Sequence, residues 1–216
     1  AAGKSHGGLI PSMLDCRTGE MLSESPEAIP GQRDGDRAHA GSNLIHDTAL
    51  LKTMLALGRP GYEAAADACL ERFATHCTDT VTGLFPWGEH TYWDLAADGI
   101  GFGPHVVRDA PLDKAFHDHL RQAPLWLWDK LHQFNPSCVE RFAEGLEWHW
   151  SDDARTEYIR HAYLSRKERY GDPAQQPTSC DFPRHGGFYI LDLAFAWART
   201  GRDDFRAQLV RYLDYW

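Results

Sequence analysis

NLIHDTALLKTMLALG (Asn43–Gly58) is the stretch that decides the fold class, because its apolar residues recur at helical spacing. Asn43 is a favourable N-cap residue and Gly58 a favourable terminator, so the stretch predicts one complete amphipathic helix. A second helical stretch, GYEAAADACLERFATHC (61–77), follows after a few residues. Two helices joined by so short a connection are expected to pack as antiparallel neighbours, which makes a helical hairpin.

Two further pairs of helical stretches follow along the chain. KAFHDHLRQAPLWLWDKLHQF (114–134) is a helical pattern interrupted at Pro124, and NPSCVERFAEGLEWHW (135–150) begins with Asn135 as a cap. The third pair is GGFYILDLAFAWARTG (186–201) and RDDFRAQLVRYLDYW (202–216). No convincing alternating strand or Asn-Gly turn interrupts the series, so the sequence predicts an all-α protein.

The first and third hairpins resemble each other as an internal repeat. The dipeptides Gly58-Arg59 and Gly201-Arg202 lie 143 positions apart. The same offset aligns four further pairs: Leu50 with Leu193, Tyr62 with Phe205, Leu70 with Leu213, and Phe73 with Trp216. Repeated hairpins that cannot bury their apolar faces alone must stack or close into a ring. The expected architecture is therefore part of an (α/α)n toroid.

The predicted domain organisation has two parts. Residues 1–42 are rich in Gly, Pro, Asp and Ser and predict an irregular N-terminal arm, and residues 43–216 form the helical-hairpin domain. The last helical pattern reaches Trp216 with neither cap nor breaker, so this domain is expected to be truncated at its C-terminal end. The missing part of the same toroid is then an expected partner.

Composition and charge exclude several classes of function. The formal net charge of −9 repels phosphate backbones and anionic membrane surfaces, and no run rich in Lys and Arg offsets it. No apolar run approaches the roughly eighteen residues that a membrane span needs. Five cysteines lack CxxC spacing, which argues against zinc-ribbon and thioredoxin-like sites, and most are expected to be buried thiols. Nucleic acid and membrane are therefore not expected partners.

Two candidate site clusters lie in the first half of the chain. HAGSNLIHD (39–47) places Asn43 and His46 in the opening turn of a helix, where backbone N–H groups favour anions. The alternative is simple capping by Asn43 with His46 exposed. GEHTYWDLAAD (88–98) contains Glu89, His90 and Asp94, which can ligate a divalent ion or act as acids and bases. Flat aromatic faces for sugar rings are offered by Trp87, Tyr92 and Trp93.

Two more clusters lie in the second half. HDHLRQ (117–122) carries His119 and Arg121, and His117 and His119 cannot share one helix face. A solvated helix start is the alternative there. CDFPRHGG (180–187) places Arg184 and His185 before two glycines, where a guanidinium can hold a carboxylate in bidentate fashion. The alternative is a surface ion pair between Arg184 and Asp181.

Four stretches together resemble the pectate-lyase-like polysaccharide lyases of the α/α-toroid class. They are KSHGGLIPSMLD (4–15), GQRDGDRAHAGSNLIHD (31–47), GLFPWGEHTYWDL (83–95) and DFPRHGGFYILDL (181–193). The resemblance implies a periplasmic or secreted enzyme that acts on a uronate-containing polysaccharide or oligosaccharide.

The resemblance also implies a site. In helical-toroid pectate lyases an Arg removes the proton alpha to the uronate carboxylate, and a divalent metal held by His and Glu makes that proton more acidic. Arg184 and His185 look like such a base-and-ligand pair. Glu89 and His90, with His119, are then the expected ligands of a Ca or Mn type ion. Because the protein is acidic, local positive charge for a polyanion is expected from Arg37, Arg121 and Arg184.

Three other functions fit the same clusters. A glycoside hydrolase would use two carboxylates, Glu89 with Asp94 or Asp181. A sugar epimerase would use His46 and His185 as an acid and base pair, and His46 is a catalytic candidate for this reason. A glycan-binding module would need the aromatic rings without the ionisable groups. The fold class alone does not determine which of these functions a protein has.

Overall fold

The computed structural model describes residues 2–27, 29–31, 40–88, 90–102, 116–117, 123–155, 158–159, 161–169 and 183–216; for 116–117 and 183–185 it describes the backbone alone. Six α-helices lie within these residues. They are α1 (Leu44–Ala56), α2 (Pro60–Arg72), α3 (Leu125–Phe134), α4 (Pro136–Gly145), α5 (Pro183–Thr200) and α6 (Asp203–Tyr215). None of the helices described is long and apolar enough to cross a membrane.

The helices form the three hairpins that the sequence predicts. α1 packs on α2, α3 on α4 and α5 on α6. The hairpins also contact one another in chain order, because α2 packs on α3 and α4 packs on α5. Asn43 and Asn135 occupy the predicted N-cap positions of α1 and α4, and Pro136 begins α4.

The predicted repeat is present in the backbone of the two turns. Gly58 and Gly201 have φ angles of 60° and 69°, in the left-handed region that glycine enters at little cost. Arg59 and Arg202 follow as extended N-cap residues with ψ of 123° in both cases. The aligned apolar positions, in contrast, differ in burial between the two hairpins.

The prediction of an all-α chain is confirmed only in part: six helices dominate the described residues, but two small antiparallel sheets accompany them. β1 (Gly41–Ser42), β2 (Thr91–Asp94) and β3 (Gly99–Phe102) form one sheet in that order. β4 (Phe116–His117) pairs with β5 (Ala162–Tyr163) in the other. The expected helical pattern therefore does not extend over Phe116–His117, and α3 begins immediately after Pro124.

An aromatic cluster forms the centre of the core between the first two hairpins. Phe85 and Trp87 lie in the connection after α2, and their ring centroids are 4.9 Å apart. Phe142 of α4 lies 4.7 Å from Phe85 and 5.0 Å from Trp128 of α3. Three of the thiols, Cys69, Cys77 and Cys138, are buried as expected, whereas Cys16 is exposed.

Candidate functional site

Two of the clusters identified in the sequence meet at one sheet. β1 pairs with β2 so that Ser42 lies opposite Trp93. In the first turn of α1, the backbone N–H of Ile45 donates a hydrogen bond to the carbonyl oxygen of Trp87 at 3.0 Å. The first turn of α1, with His46, is thus fixed beside the loop that leads to His90.

A pair of imidazoles is the central feature of this region. The Nε2 atoms of His90 and His161 are 3.1 Å apart, and the two rings meet edge to face with centroids 4.9 Å apart. His90 lies just before β2 and His161 just before β5. Two residues 71 positions apart in the sequence therefore bring their ring nitrogens into direct contact.

β5 arranges other side chains beside His161. Ala162 and Leu164 are fully buried while His161 and Tyr163 are half-buried, so the last two share the outer side of the strand. The guanidinium of Arg166 lies 3.8 Å from the centroid of the Tyr163 ring. An aromatic ring and a cation therefore stand next to the imidazole pair.

The predicted HDHLRQ cluster has one residue, His117, whose backbone lies beside β5. β4 pairs with β5 so that His117 lies opposite Ala162, the residue after His161. His119 and Arg121 lie outside the described residues, as do Arg37 and Glu89. Whether these four residues contribute to the site stays a prediction.

α5 packs against the segment that leads into His161. The Tyr189 ring lies 5.7 Å from the Tyr158 ring and 4.8 Å from the His149 ring. Nδ1 of His149 is 2.9 Å from the carbonyl oxygen of Ile159, two residues before His161. Because residues four apart stack along a helix, His185 stands one turn before Tyr189 in α5.

Arg184 and His185 form the first turn of α5 through their backbone, and their side chains lie outside the described part of the structure. One turn further along α5, Tyr189 contacts Tyr158 in the segment before His161. A site shared by Arg184, His185 and the loop of His90 is therefore compatible with the fold.

The structure corrects the expected roles of two aromatic residues. Trp87 is fully buried among Phe73, Phe85, Trp128 and Phe142, so its ring presents no face to a sugar. Trp93 also faces inward. Alternation along β2 buries Thr91 and Trp93 and leaves Tyr92 and Asp94 half-exposed, which makes Tyr92 the available ring of the three.

Tyr92 lies over the neighbouring strand, with its ring against Gly101. A side chain at position 101 would collide with this ring, since a Cβ there would lie 2.4 Å from Cε2 of Tyr92. Burial, and next the nearby Asp94, raise the pKa of the Tyr92 phenol, so it stays protonated at neutral pH.

The alternative of simple capping by Asn43, with His46 exposed, is correct only in part. Asn43 occupies the N-cap position, but its side chain makes no capping bond and donates to Oγ of Ser12 at 3.1 Å. His46 is exposed on the first turn of α1. At the next residue, burial raises the pKa of Asp47 to about 7.

Sequence reasoning missed His161 and a surface hub around Asp98. Asp98 accepts hydrogen bonds from Arg72, His76 and Trp93, and the bond from Trp93 is the main cause of its lowered pKa. The hub ties the β2–β3 turn to the end of α2. The alternation around His161 in IRHAYLS (159–165) was a strand signal that could have identified this segment.

The His90–His161 separation suits two ligands of one metal ion. Imidazole nitrogens lie about 2.1 Å from a transition metal, so two neighbouring ligands in tetrahedral or octahedral geometry are about 3.0–3.4 Å apart. The observed 3.1 Å falls in this range. Within the described residues no group of three or more His, Cys, Asp and Glu is arranged to hold a metal, so the pair supplies two ligands.

Compared with models of known protein families and with curated proteins, the sequence shows no significant match.

Proposed function

We propose that this chain is a polysaccharide lyase that cleaves a uronate-containing, pectate-like glycan by β-elimination. The observation that carries the proposal is the imidazole pair of His90 and His161 at 3.1 Å. It lies where the sequence clusters around His46 and His90 meet. Its fold context is three packed helical hairpins, which we propose form part of an (α/α)n toroid.

His90 and His161 are the residues that would hold the divalent ion, with Glu89, His119 and His185 as the candidates for further ligands. A neutral imidazole binds a metal through its lone pair, and the two Nε2 atoms already face each other. When bound beside a uronate carboxylate, the ion would withdraw charge and make the proton on C5 more acidic.

Local positive charge is needed because the whole chain carries a net charge of −9 and its substrate is a polyanion. Arg166, three residues after Tyr163 of β5, supplies such a charge. The guanidinium stacks over the Tyr163 ring and can pair with a carboxylate of the substrate. Tyr92, half-exposed on β2, is the proposed ring on which a sugar stacks.

Arg184 is the proposed base. Its neutral guanidine form takes the proton from C5 and becomes a guanidinium, the electron pair of the C5–H bond forms the double bond between C4 and C5, and the bond from C4 to the glycosidic oxygen breaks. The leaving oxygen then receives a proton, for which His46 and His185 are the candidate donors. An enzyme of this class acts on extracellular polymers, so we also propose a periplasmic or secreted location.

The test is formation of an unsaturated uronate from a panel of uronate polymers, followed by ultraviolet absorbance. We expect divalent-ion-dependent product from the wild type. Arg184→Lys should lose most activity while keeping fold and metal affinity, because Lys keeps the charge without the planar fork. Arg17→Lys, on the exposed arm, is the matched control and should keep wild-type activity. Product without any divalent ion, or full activity in Arg184→Lys, would contradict the mechanism.

A sugar epimerase is the second candidate, because two imidazoles in contact can also share a proton and serve as acid and base. It predicts isomerised glycan without an unsaturated product, and activity that survives removal of divalent ions by a chelator. The hydrolase alternative has less support among the described residues, since Oδ1 of Asp94 is engaged by the backbone N–H groups of Ala96 and Ala97.

A further inference from the structure

His149 is a buried histidine outside the proposed elimination mechanism. It ends a 3₁₀ turn, Leu146–His149, that continues α4, and its side chain is fully buried. Burial disfavours the imidazolium and lowers the pKa of His149 to about 4, so the ring is neutral at neutral pH. A neutral imidazole has one N–H donor and one acceptor nitrogen, and a buried donor needs a partner. The partner of that donor identifies what His149 holds in place.

The hydrogen bonds of His149 fix the chain two residues before His161. Nδ1 of His149 lies 2.9 Å from the carbonyl oxygen of Ile159. A carbonyl oxygen can only accept, so Nδ1 carries the proton. The backbone N–H of Ile159 donates in return to the carbonyl oxygen of His149 at 2.7 Å, and the next residue, Trp150, forms a β-bridge with Tyr158. Ile159 is therefore bound to His149 through both of its backbone polar groups.

The imidazole of His149 also packs against two tyrosine rings. The Tyr158 ring stacks on it with an interplanar angle of 21° and a centroid separation of 5.8 Å. The Tyr189 ring, on α5, lies closer, with centroids 4.8 Å apart and an angle of 37°. Close packing in a buried site restricts the rotation of a ring. These contacts therefore fix the direction in which Nδ1 of His149 points.

A second anchor fixes the chain on the other side of His161. The carbonyl oxygen of Leu164 accepts hydrogen bonds from the backbone N–H and from Oγ1 of Thr82, at 3.3 and 3.4 Å. Thr82 lies in the connection after α2, which is the connection that leads to His90. His161 thus occupies a short span, 159–164, that is bound at its first residue by His149 and at its last residue by Thr82.

The separation of His90 and His161 has to be set by these anchors. One hydrogen bond between two imidazoles contributes less free energy than the ordering of the residues that carry them costs. The contact between the Nε2 atoms at 3.1 Å therefore does not hold a loose segment by itself. A metal–nitrogen bond of about 2.1 Å also tolerates a displacement of only about 0.2 Å. A small shift of Ile159 is enough to move His161 out of reach of a shared ion.

We propose that His149 is a positioning residue for the imidazole pair: its Nδ1–H bond to Ile159 holds His161 at contact distance from His90. His149 acts through the chain segment before His161 and does not ligate an ion. The consequence for metal affinity rests on the proposed function, in which the pair binds a divalent ion. The placement of His161 beside His90 does not depend on that function.

The test compares two variants of nearly equal volume at position 149. The side-chain amide of His149→Asn can donate a hydrogen bond from the position of Nδ1, whereas His149→Leu has no donor. Both variants leave a similar space in the core, so the difference between them reports the bond to Ile159 and not the loss of packing. Circular dichroism and urea unfolding check that both variants are folded under the conditions of measurement.

Two measurements are made on the wild type and on both variants. In the metal-free protein, NMR detects the nuclear Overhauser effect between ring protons of His90 and His161. We expect it in the wild type and in His149→Asn, and we expect it to be lost in His149→Leu. In calorimetric titration with Mn²⁺, His149→Asn should bind within about threefold of the wild type and His149→Leu at least about tenfold more weakly, because a residue that orients a ligand controls the affinity of the site.

Equal behaviour of the two variants overturns the proposal, whether both keep or both lose the contact between the rings. So does a wild type in which ¹⁵N NMR spectra show the proton of His149 on Nε2 instead of Nδ1, a measurement that needs no variant. A wild type that shows the ring contact but binds no Mn²⁺ contradicts the proposed function. In that case, loss of the ring contact in His149→Leu alone still supports the positioning role of His149.

Discussion

Single residues in this structure carry unusual titration behaviour, and Asp47 is the clearest example. It is a carboxyl on the first turn of α1, with a buried Oδ2 atom that has no hydrogen-bond partner. Burial raises its pKa from 3.8 to about 7. The folded state therefore holds the proton up to about pH 7, while the unfolded chain releases it near pH 4.

Because of this difference, the free energy of unfolding should fall as the pH rises from about 4 to 7, by about 1.4 kcal/mol for each pH unit. Asp47→Asn removes the contribution. We expect urea unfolding to show that the free energy of unfolding of Asp47→Asn rises relative to that of the wild type between pH 5 and pH 7.5. Burial also lowers the pKa of His149, to about 4. Both proteins contain His149, so the difference between their free energies of unfolding reports the effect of Asp47 alone.

Asp153→Asn is the control for the pH experiment, since Asp153 is fully exposed and its ion pair with Arg169 is worth little. Its stability should follow the wild type at every pH. Parallel profiles for Asp47→Asn and the wild type would show that Asp47 is ionised alike in the folded and unfolded states.

Gly83 is a second residue with a measurable role. Its φ is 82°, and a Cβ there would lie 2.2 Å from the carbonyl oxygen of Arg141 in α4. Gly83→Ala should therefore destabilise the protein by about 3 kcal/mol, from the left-handed backbone and the collision together. Gly58→Ala has the same backbone cost without a collision, and should lose about 1 kcal/mol. Equal losses in thermal unfolding would contradict this assignment.

At this scale the sequence identified some site residues and could not identify others. It singled out His90 because ionisable and aromatic residues crowd the loop before β2. It gave no weight to His161, since the partner of a side chain 71 positions away is a property of the fold. Trp87 was misjudged because a Gly- and Pro-rich connection usually lies on the surface, whereas here it crosses the core.

Helices and strands differed in how well the sequence predicted them. The hairpin helices were predictable because each combines a stop or cap with a long apolar stripe. The strands were not, because β2 has only four residues and β1 and β5 only two. Such short strands are stabilised by pairing with a neighbouring strand, and this pairing leaves little pattern in the sequence.

The two equivalent turns provide a prediction about how elements are joined. Arg202 pairs with Glu140 and Glu144 of α4 and with Asp204 of its own helix, and its guanidinium lies over the Phe205 ring. Its counterpart Arg59 lies over Tyr62 at 5.7 Å in the first hairpin.

Arg202→Ala should lower the free energy of unfolding by about 1–2 kcal/mol, because it removes a partly buried network that joins two hairpins. Arg59→Ala should cost less than about 0.5 kcal/mol, as expected for a surface position. Urea midpoints of the two variants, measured in dilute solution, check the difference. An Arg59→Ala loss as large as that of Arg202→Ala would show that the two turns are anchored equally.

For the whole molecule, the three packed hairpins and the paired imidazoles support one account. The hairpins pack on one another in chain order, and the connection after α2 meets the segment before β5 at His90 and His161. The central claim is that the imidazole pair binds a divalent ion. Both the choice of elimination over epimerisation and the role of Arg184 as the base depend on this ion.

Calorimetric titration of the folded chain with Mn²⁺ and Ca²⁺ tests this claim most directly. The account predicts one ion bound per chain, with affinity at least about tenfold weaker in His161→Ala and in His90→Ala, because each loses a ligand. His132→Ala, which removes an imidazole that packs on Phe195 away from the site, should bind as the wild type does. Unchanged affinity in His161→Ala, or no binding by the wild type, would contradict the account.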